Sequence, residues 1–187
     1  ERKVGSFSED LSLIIQASSL QEVLRVISDE EAELEMAYDE GQVKFDYGDI
    51  QVISRLIDGN FPDYRQLIPK KNDVEFSISR DDFINITKVS SLFARESAGS
   101  ITLEVSEADQ EVSIQSIASQ VGENTSKATA KVKGDGKVTL NSRFLMDALN
   151  AFNASTVSFS FSGKINPCVI TEEGGGDYLH IVMPLKS

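Results

Sequence analysis

The side chains best suited to chemistry in this 187-residue chain are its one histidine, His180, and its one cysteine, Cys168. A metal centre needs several nitrogen, sulfur or carboxylate ligands converging on one point. His180 alternates with Ile181 in a β-type run, and no second histidine or cysteine makes a ligand set with it. Cys168 also lies in a β-type run, with no nearby base to generate a thiolate, and reads as an inert buried thiol. Gly174-Gly175-Gly176 resembles a phosphate cradle in composition, but such loops open a helix. This one precedes a β-type run, so it reads as a hairpin loop. The acidic run Asp29-Glu30-Glu31 falls in a turn and reads as solvated surface, whereas a two-metal nuclease would want carboxylates from several elements. No catalytic, cofactor or metal site is expected. Binding is the chemistry that remains.

Composition narrows what can be bound. The chain is 40% hydrophobic and 26% charged, the balance of a soluble globular protein. No apolar run approaches the roughly 20 residues that span a bilayer, so no membrane partner is expected. The lone cysteine excludes an internal disulfide framework and fits a reducing, cytoplasmic setting. A net charge of −12 argues against coating nucleic acid with bulk positive charge, while leaving room for a local basic strip. Trp is absent and Phe outnumbers Tyr ten to four, which does not favour stacking platforms for single-stranded bases. The opening Glu1-Arg2-Lys3-Val4-Gly5 is no signal peptide and lacks an initiator Met, so the chain reads as part of something longer.

The elements that would position binding residues recur. Helical periodicity appears over Ser18–Ile27, from Ser79 or Arg80 to Arg95, and from Asn141 to Phe152. The starts, near 18, 80 and 142, are 62 residues apart by subtraction. Ser18, Ser79 and Asn141 can each cap the first turn by accepting from otherwise unpaired amides. A short alternating run precedes each helix: Leu11–Gln16, Val74–Ser79 and Lys137–Leu140. Three β-type runs follow each one. They are Ala32–Ala37, Gln42–Tyr47 and Ile50–Ile57; then Ser100–Ser106, Glu111–Ser116 and Thr125–Val132; then Thr156–Phe161, Pro167–Thr171 and Tyr178–Pro184. The unit is β-α-β-β-β, present three times. A helix covers one sheet face and strand edges need pairing, so units should come in twos. Three units make one and a half domains of an α+β protein.

Each helix is two-faced. At 100° per residue, Ile86, Val89, Leu92 and Phe93 gather on one side of the second, opposite Arg80, Lys88 and Arg95, with Thr87 and Ser91 between the basic residues. Phe144, Leu145, Ala148, Leu149 and Phe152 gather on the third, away from Arg143 and Asn150. Leu20, Val23, Leu24 and Ile27 do so on the first, away from Gln21 and Arg25. Spacing alone reads the polar sides as solvated faces.

The stretch Arg55–Pro69, RLIDGNFPDYRQLIP, resembles the segment joining the middle and last domains of bacterial DNA polymerase III beta subunits, the sliding clamps. Tyr178–Ser187, YLHIVMPLKS, resembles that family's ending, Asn141–Ala151 its last helix, and Asn166–Ile170 the strand after it. The resemblance implies a DNA-clamp fold of six such units per chain in a homodimeric ring, with antiparallel sheets outside and helices lining a channel around duplex DNA. Residues 1–69 would be the C-terminal half of the middle domain plus linker, and 70–187 the complete last domain. It further implies a non-catalytic processivity factor that tethers the polymerase catalytic subunit and the clamp loader through short hydrophobic peptides.

Carried over residue by residue, the partner-peptide groove would draw on Pro62, Leu67 and Ile68 of the linker motif. It would add Asn141 and Phe144 at the last helix, Ile165 and Pro167 by the neighbouring strand, and Val182, Met183, Pro184 and Leu185 at the end. Apolar anchors with adaptable Met suit short hydrophobic peptides. A further wall of the groove would lie before Glu1. Gln66 stands where some members carry a basic residue, and Ala98 where some carry a large aromatic. DNA-facing positions would be Arg25, Lys70, Lys71, Arg80, Lys88, Arg95 and Arg143, meeting phosphates without reading bases. Leu92 and Phe93 would meet the first domain of the other subunit. The rival reading is a repeat-built scaffold or adhesion module with no nucleic-acid role, which salt-dependent retention of duplex DNA would distinguish.

Overall fold

The computed structural model describes residues 11–27, 33–118, 122–176 and 178–186. The chain divides into two compact units, Lys3–Asp63 and Tyr64–Ser187. In the N-terminal unit the chain runs through α1 (Ala17–Val26), β1 (Glu35–Tyr38), β2 (Gln42–Tyr47) and β3 (Ile50–Arg55). The strands form one antiparallel sheet in the order β1-β2-β3. The β1–β2 turn is closed by Asp39, whose Oδ1 accepts from the Gly41 and Gln42 amides at 2.8 Å each. At the next hairpin Gly48 takes φ 57°, a conformation costly for a residue with a Cβ. The buried core is small: Val23, Val43 and Phe45, with Ile15, Ile27, Val52 and Leu56 packed partly buried against it.

The C-terminal unit holds β4 (Val74–Ser79), α2 (Arg80–Phe93), β5 (Ser100–Ser106), β6 (Glu111–Ala118), β7 (Gly122–Thr129) and β8 (Lys131–Lys133). It continues with β9 (Gly136–Asn141), α3 (Ser142–Ala151), β10 (Thr156–Phe161), β11 (Cys168–Glu172) and β12 (Leu179–Val182). Short 3₁₀ turns cover Tyr64–Leu67 and Ala94–Ser97. One sheet has the order β12-β11-β10-β4-β8, the other β7-β6-β5-β9. The strand before each helix therefore joins the sheet of the other repeat. Thus β4 pairs with β10, from Ser79↔Thr156 to Val74↔Phe161, and β9 pairs with β5, from Asn141↔Ser100 to Gly136↔Val105. Alternation puts Val74, Phe76 and Ile78 into one core with Val157, Phe159 and Phe161. Phe76 and Phe159 stack at 5.2 Å, and Phe83 of α2 meets both edge-on at 5.7 and 5.9 Å.

Several elements depart from the sequence reading. Gln16, not Ser18, precedes α1, and it makes no side-chain cap. Ser79 and Asn141 do cap, accepting from the Asp82 and Arg143 amides. Leu11–Gln16 is no strand here; Ile15 makes one bridge, to Leu56. Thr125–Val132 is two strands in different sheets, because the chain crosses over at buried Ala130. The stripe of α2 facing the core is Phe83, Ile86, Thr87 and Ser90, while Val89 and Leu92 are exposed. Thr87 and Ser90 look polar in sequence, yet small hydroxyl side chains fit where the helix lies close to the sheet. The Ser90 hydroxyl reaches the Ile114 carbonyl at 3.4 Å. Leu20 and Leu24 of α1 are exposed, as is Phe144 of α3. The acidic run 29–31 lies outside the described residues.

Candidate functional site

In the C-terminal unit the chain end is held between two sheet edges. Cys168 pairs with Val182, so Met183 comes next to Pro167 where the β11–β12 ladder ends. Two residues on, the Leu185 amide donates to the Thr139 carbonyl of β9 at 2.8 Å. The last strand of one sheet is thereby tied to the edge strand of the other, close to where β9 runs into α3. Asn141 fixes that junction. Its Oδ1 accepts from the Arg143 amide at 2.9 Å, and its Nδ2 donates to the Ala98 carbonyl at 3.0 Å.

Several of the apolar residues predicted for the groove face water. Phe144 is 55% exposed, Ile165 70% and Met183 51%. Val182 is buried, and Pro167, Pro184 and Leu185 are half-buried. The cause at α3 is rotational. Leu145, Ala148, Leu149 and Phe152 occupy the core-facing stripe, and Phe144 falls outside it. Leu67, 45% exposed, ends the turn at Tyr64–Leu67 and half-buried Ile68 follows it, whereas exposed Pro62 belongs to the N-terminal unit. A cavity of about 890 Å³ lies in the N-terminal unit, lined by Leu13, Ile14, Tyr38, Leu56, Ile57 and Phe61 among others. Exposed apolar side chains of this kind are suited to contact with other hydrophobic groups.

The basic residues predicted to face DNA differ in how they are held. Lys88 and Arg95 are exposed and pair with no described residue, and Lys70 and Lys71 are likewise exposed and unpaired among described residues. Arg143 lies 3.9 Å from Asp147, and Arg25 is bound to Glu22 at 2.6 Å. Arg80 differs from the mobile charge expected of it. Its Nε donates to the Leu149 carbonyl at 2.9 Å and its Nη1 to Asp81 at 3.2 Å, tying the start of α2 to the end of α3. Each helix is neutral by count. Arg80, Lys88 and Arg95 match Asp81, Asp82 and Glu96 in α2 and its 3₁₀ extension, Arg143 matches Asp147, and Arg25 matches Glu22. The charge of −12 therefore resides outside these three helices.

Cys168 is buried, and burial pushes its thiol up to about 12, so it stays protonated and unreactive. His180 bonds the Tyr178 hydroxyl at 2.8 Å through Nδ1, and Tyr178 packs edge-on to Phe152 at 4.9 Å. Among the described residues no group of three or more His, Cys, Asp or Glu is placed to hold a metal. Leu92 is 56% exposed and Phe93 half-buried at the end of α2. Sequence reasoning missed Thr139, because its role arises where the ends of two sheets meet.

Residues 65–186 match the family model of the DNA polymerase III beta subunit, C-terminal domain, and residues 2–63 that of its central domain. The chain belongs to the DNA polymerase III beta subunit family. It is 29% identical over 182 residues to the beta sliding clamp of Staphylococcus aureus, a match covering 96% of this chain and 48% of that one. The fold is similar to the DNA polymerase III beta chain of Streptococcus pneumoniae, with a TM-score of 0.83 at 25% identity over 97% of this chain and 49% of that one. It is also similar to the beta subunit of Thermotoga maritima, with a TM-score of 0.79 at 25% identity over 96% and 49%. The chain spans about half the length of the curated relatives it matches. The scaffold or adhesion reading is thereby not favoured.

Proposed function

We propose that this chain is part of a bacterial, cytoplasmic sliding clamp, a processivity factor of DNA replication that encircles duplex DNA and tethers its partners by docking and not by catalysis. Residues 1–69 are the second half of the central domain with its linker, and 70–187 the whole last domain. In the full-length protein two copies form the ring, with Leu92 and Phe93 at the subunit contact. Neutral helices in an acidic body support the DNA role, since exposed Lys88 and Arg95, and Arg143 beside Asp147, can meet phosphates without net repulsion from their own elements.

The observation that supports the tethering role is the exposure of Phe144, Ile165 and Met183, three of the residues that the family resemblance assigns to the groove. Large apolar side chains clustered on a surface mark a docking site. Their occupants are short peptides ending in Leu-Phe, of the kind the polymerase catalytic subunit and the clamp loader would present. Burying one large apolar side chain contributes about 1.5–3 kcal/mol, and each 1.4 kcal/mol is tenfold in affinity. Calorimetric titration with such a peptide should show at least a tenfold loss for Phe144→Ala, whose exposure leaves the core intact, and for deletion of Met183–Ser187. Unchanged affinity in both variants would sink the site.

A further inference from the structure

Helix α2 packs against two regions of unlike chemistry. Its first turn meets the rings of Phe76 and Phe159 through Phe83. Farther along the inward stripe come Thr87 and Ser90, both fully buried, where the helix packs on β6 and β7. There the sheet is polar too. The alternation that turns Val112 and Ile114 of β6 inward also turns in Ser116, 3% exposed. Across the ladder, Ser116 is opposite Asn124 of β7 and Ile114 is opposite Ser126. Small polar side chains from three elements, Thr87, Ser90, Ser116, Asn124 and Ser126, thus share one seam.

Their hydrogen bonds do not close among themselves. The Ser126 hydroxyl donates to Asn124 Oδ1 at 2.9 Å. The Ser90 hydroxyl lies 3.4 Å from the Ile114 carbonyl and 3.3 Å from Asn124 Oδ1, both long against the usual O–H···O separation of about 2.7–2.8 Å, and its single proton cannot serve both. Thr87 Oγ1 and Ser116 Oγ are buried and bond to no described group. Most buried hydroxyls are satisfied, by protein or by ordered water. Thr87 lies one turn before Ser90, and Ser116 lies beside Asn124, so the two unmet hydroxyls flank the stretched Ser90–Asn124 contact.

We propose that an ordered water molecule binds in this seam, bridging Thr87 and Ser116 beside the Ser90–Asn124 pair, and that the hydrated joint lets the last turn of α2 shift against β6 and β7. Water supplies both donors and acceptors, and a buried one needs about two to four polar partners. A metal ion would meet only lone pairs, leaving the protons of Thr87 and Ser116 without acceptors, and none of the seam residues carries a charge to balance it. Water can enter, because β7 is the edge of its sheet and Asn124 and Ser126 are only half-buried. Interlocked apolar side chains resist sliding, whereas small polar ones joined through water keep nearly full hydrogen bonding as they move. The turn that moves carries exposed Leu92 and half-buried Phe93. Its use, letting the subunit contact proposed above adjust without unfolding, rests on that reading; the joint itself does not.

High-resolution crystallography of the 187-residue chain should show a water within hydrogen-bond distance of both Thr87 Oγ1 and Ser116 Oγ. Thr87→Val and Ser116→Ala together remove both hydroxyls, and replacing both polar partners by apolar groups leaves neither unsatisfied. In that paired variant, amide protection over residues 90–93 and across β7 should rise at least tenfold at low denaturant, while β5 and β9 exchange as in the parent. Thr87→Val alone, which keeps the shape of the side chain, should lose the water and keep the fold, with β5 and β9 again exchanging as in the parent. A dry seam in which Thr87 and Ser116 bond to protein groups would overturn the proposal, as would a sodium or potassium ion in place of the water. A bound water without any gain of protection in the paired variant would overturn the joint. None of these readings depends on whether Leu92 and Phe93 meet another subunit.

Discussion

The helices α1 and α3 segregate apolar from polar residues equally sharply, yet α3 buries Ser142, Leu145, Ala148 and Leu149 where α1 buries Val23 alone. The difference lies in what each helix faces. In the C-terminal unit two repeats exchange their first strands and close over a cluster of Phe76, Phe83, Phe159 and Phe161. In the N-terminal unit one repeat has no described counterpart, and its core stops at Val23, Val43 and Phe45. Amphipathicity makes a helix able to bury a face; a complementary repeat makes it do so. The same contrast separates two kinds of exposed apolar residue. Leu20 and Leu24 lie on the same apolar side of α1 as buried Val23, whereas Phe144 is exposed on a helix whose core stripe is filled.

The comparison breaks most visibly at one pair of equivalent positions. Phe83→Ala empties a fully buried site and removes both edge-on ring contacts, so it should cost the C-terminal unit about 3–5 kcal/mol. Leu20→Ala, at the corresponding place in α1, should cost the N-terminal unit about 1 kcal/mol or less, because the side chain is already partly in water. Denaturant unfolding followed separately in the two units tests this. Equal losses would mean that α1 is as well covered as α2.

A smaller effect should come from Gln110, which stitches the two sheets where β8 leaves the first and the β5–β6 turn closes the second. With φ 51° it takes a left-handed conformation. Its amide mimics a strand partner: Oε1 accepts from the Val132 amide at 2.9 Å, and Nε2 donates to the Val132 carbonyl at 3.0 Å and the Glu107 carbonyl at 2.8 Å. Val132 is buried, so Gln110→Ala would leave its backbone groups unsatisfied, at about 1–3 kcal/mol. Gln110→Glu keeps the acceptor for the Val132 amide and loses the donor, and should fall between. A Gln110→Ala chain that melts with the parent would show that water replaces the stitch at no cost.

Much of this architecture was legible from residue spacing. The three helices, the strands Gln42–Tyr47, Val74–Ser79, Ser100–Ser106 and Thr156–Phe161, and the caps Ser79 and Asn141 follow from periodicity and turn chemistry. Properties that depend on partners distant in sequence were not legible. The crossover at Ala130 splits an apparently continuous run because its halves meet different sheets. The inward stripe of α2 was misjudged because Thr87 and Ser90 count as polar in any hydropathy pattern, while the close approach of β6 favours small side chains there. Spacing places Arg80 on a solvated face, whereas the Leu149 carbonyl, 69 residues away, holds it. The surface residues Phe144, Ile165 and Met183 came to notice through family resemblance; spacing alone placed Phe144 with the core of α3.

The smallest expected effect concerns pH and separates the units by a group only one of them contains. His180 sits on β12 between the edge of the five-stranded sheet and α3, and its pKa is lowered from 6.5 chiefly because burial penalises the imidazolium, with Asp147 of α3 opposing that shift. The neutral ring is thus favoured in the folded state. Above 6.5 both folded and unfolded chains carry it neutral and nothing is gained or lost; as pH falls below 6.5 the unfolded chain takes up the proton first, so stability declines. Melting of the C-terminal unit should therefore shift downward on mild acidification, before the carboxylates titrate, while the N-terminal unit, which has no histidine, stays level. His180→Gln should flatten the decline. Asp147→Asn should steepen it, because the charge that eases protonation is removed while the burial that resists it remains. Parallel pH profiles in the parent and His180→Gln would show that the ring is solvated well enough to titrate alike in both states.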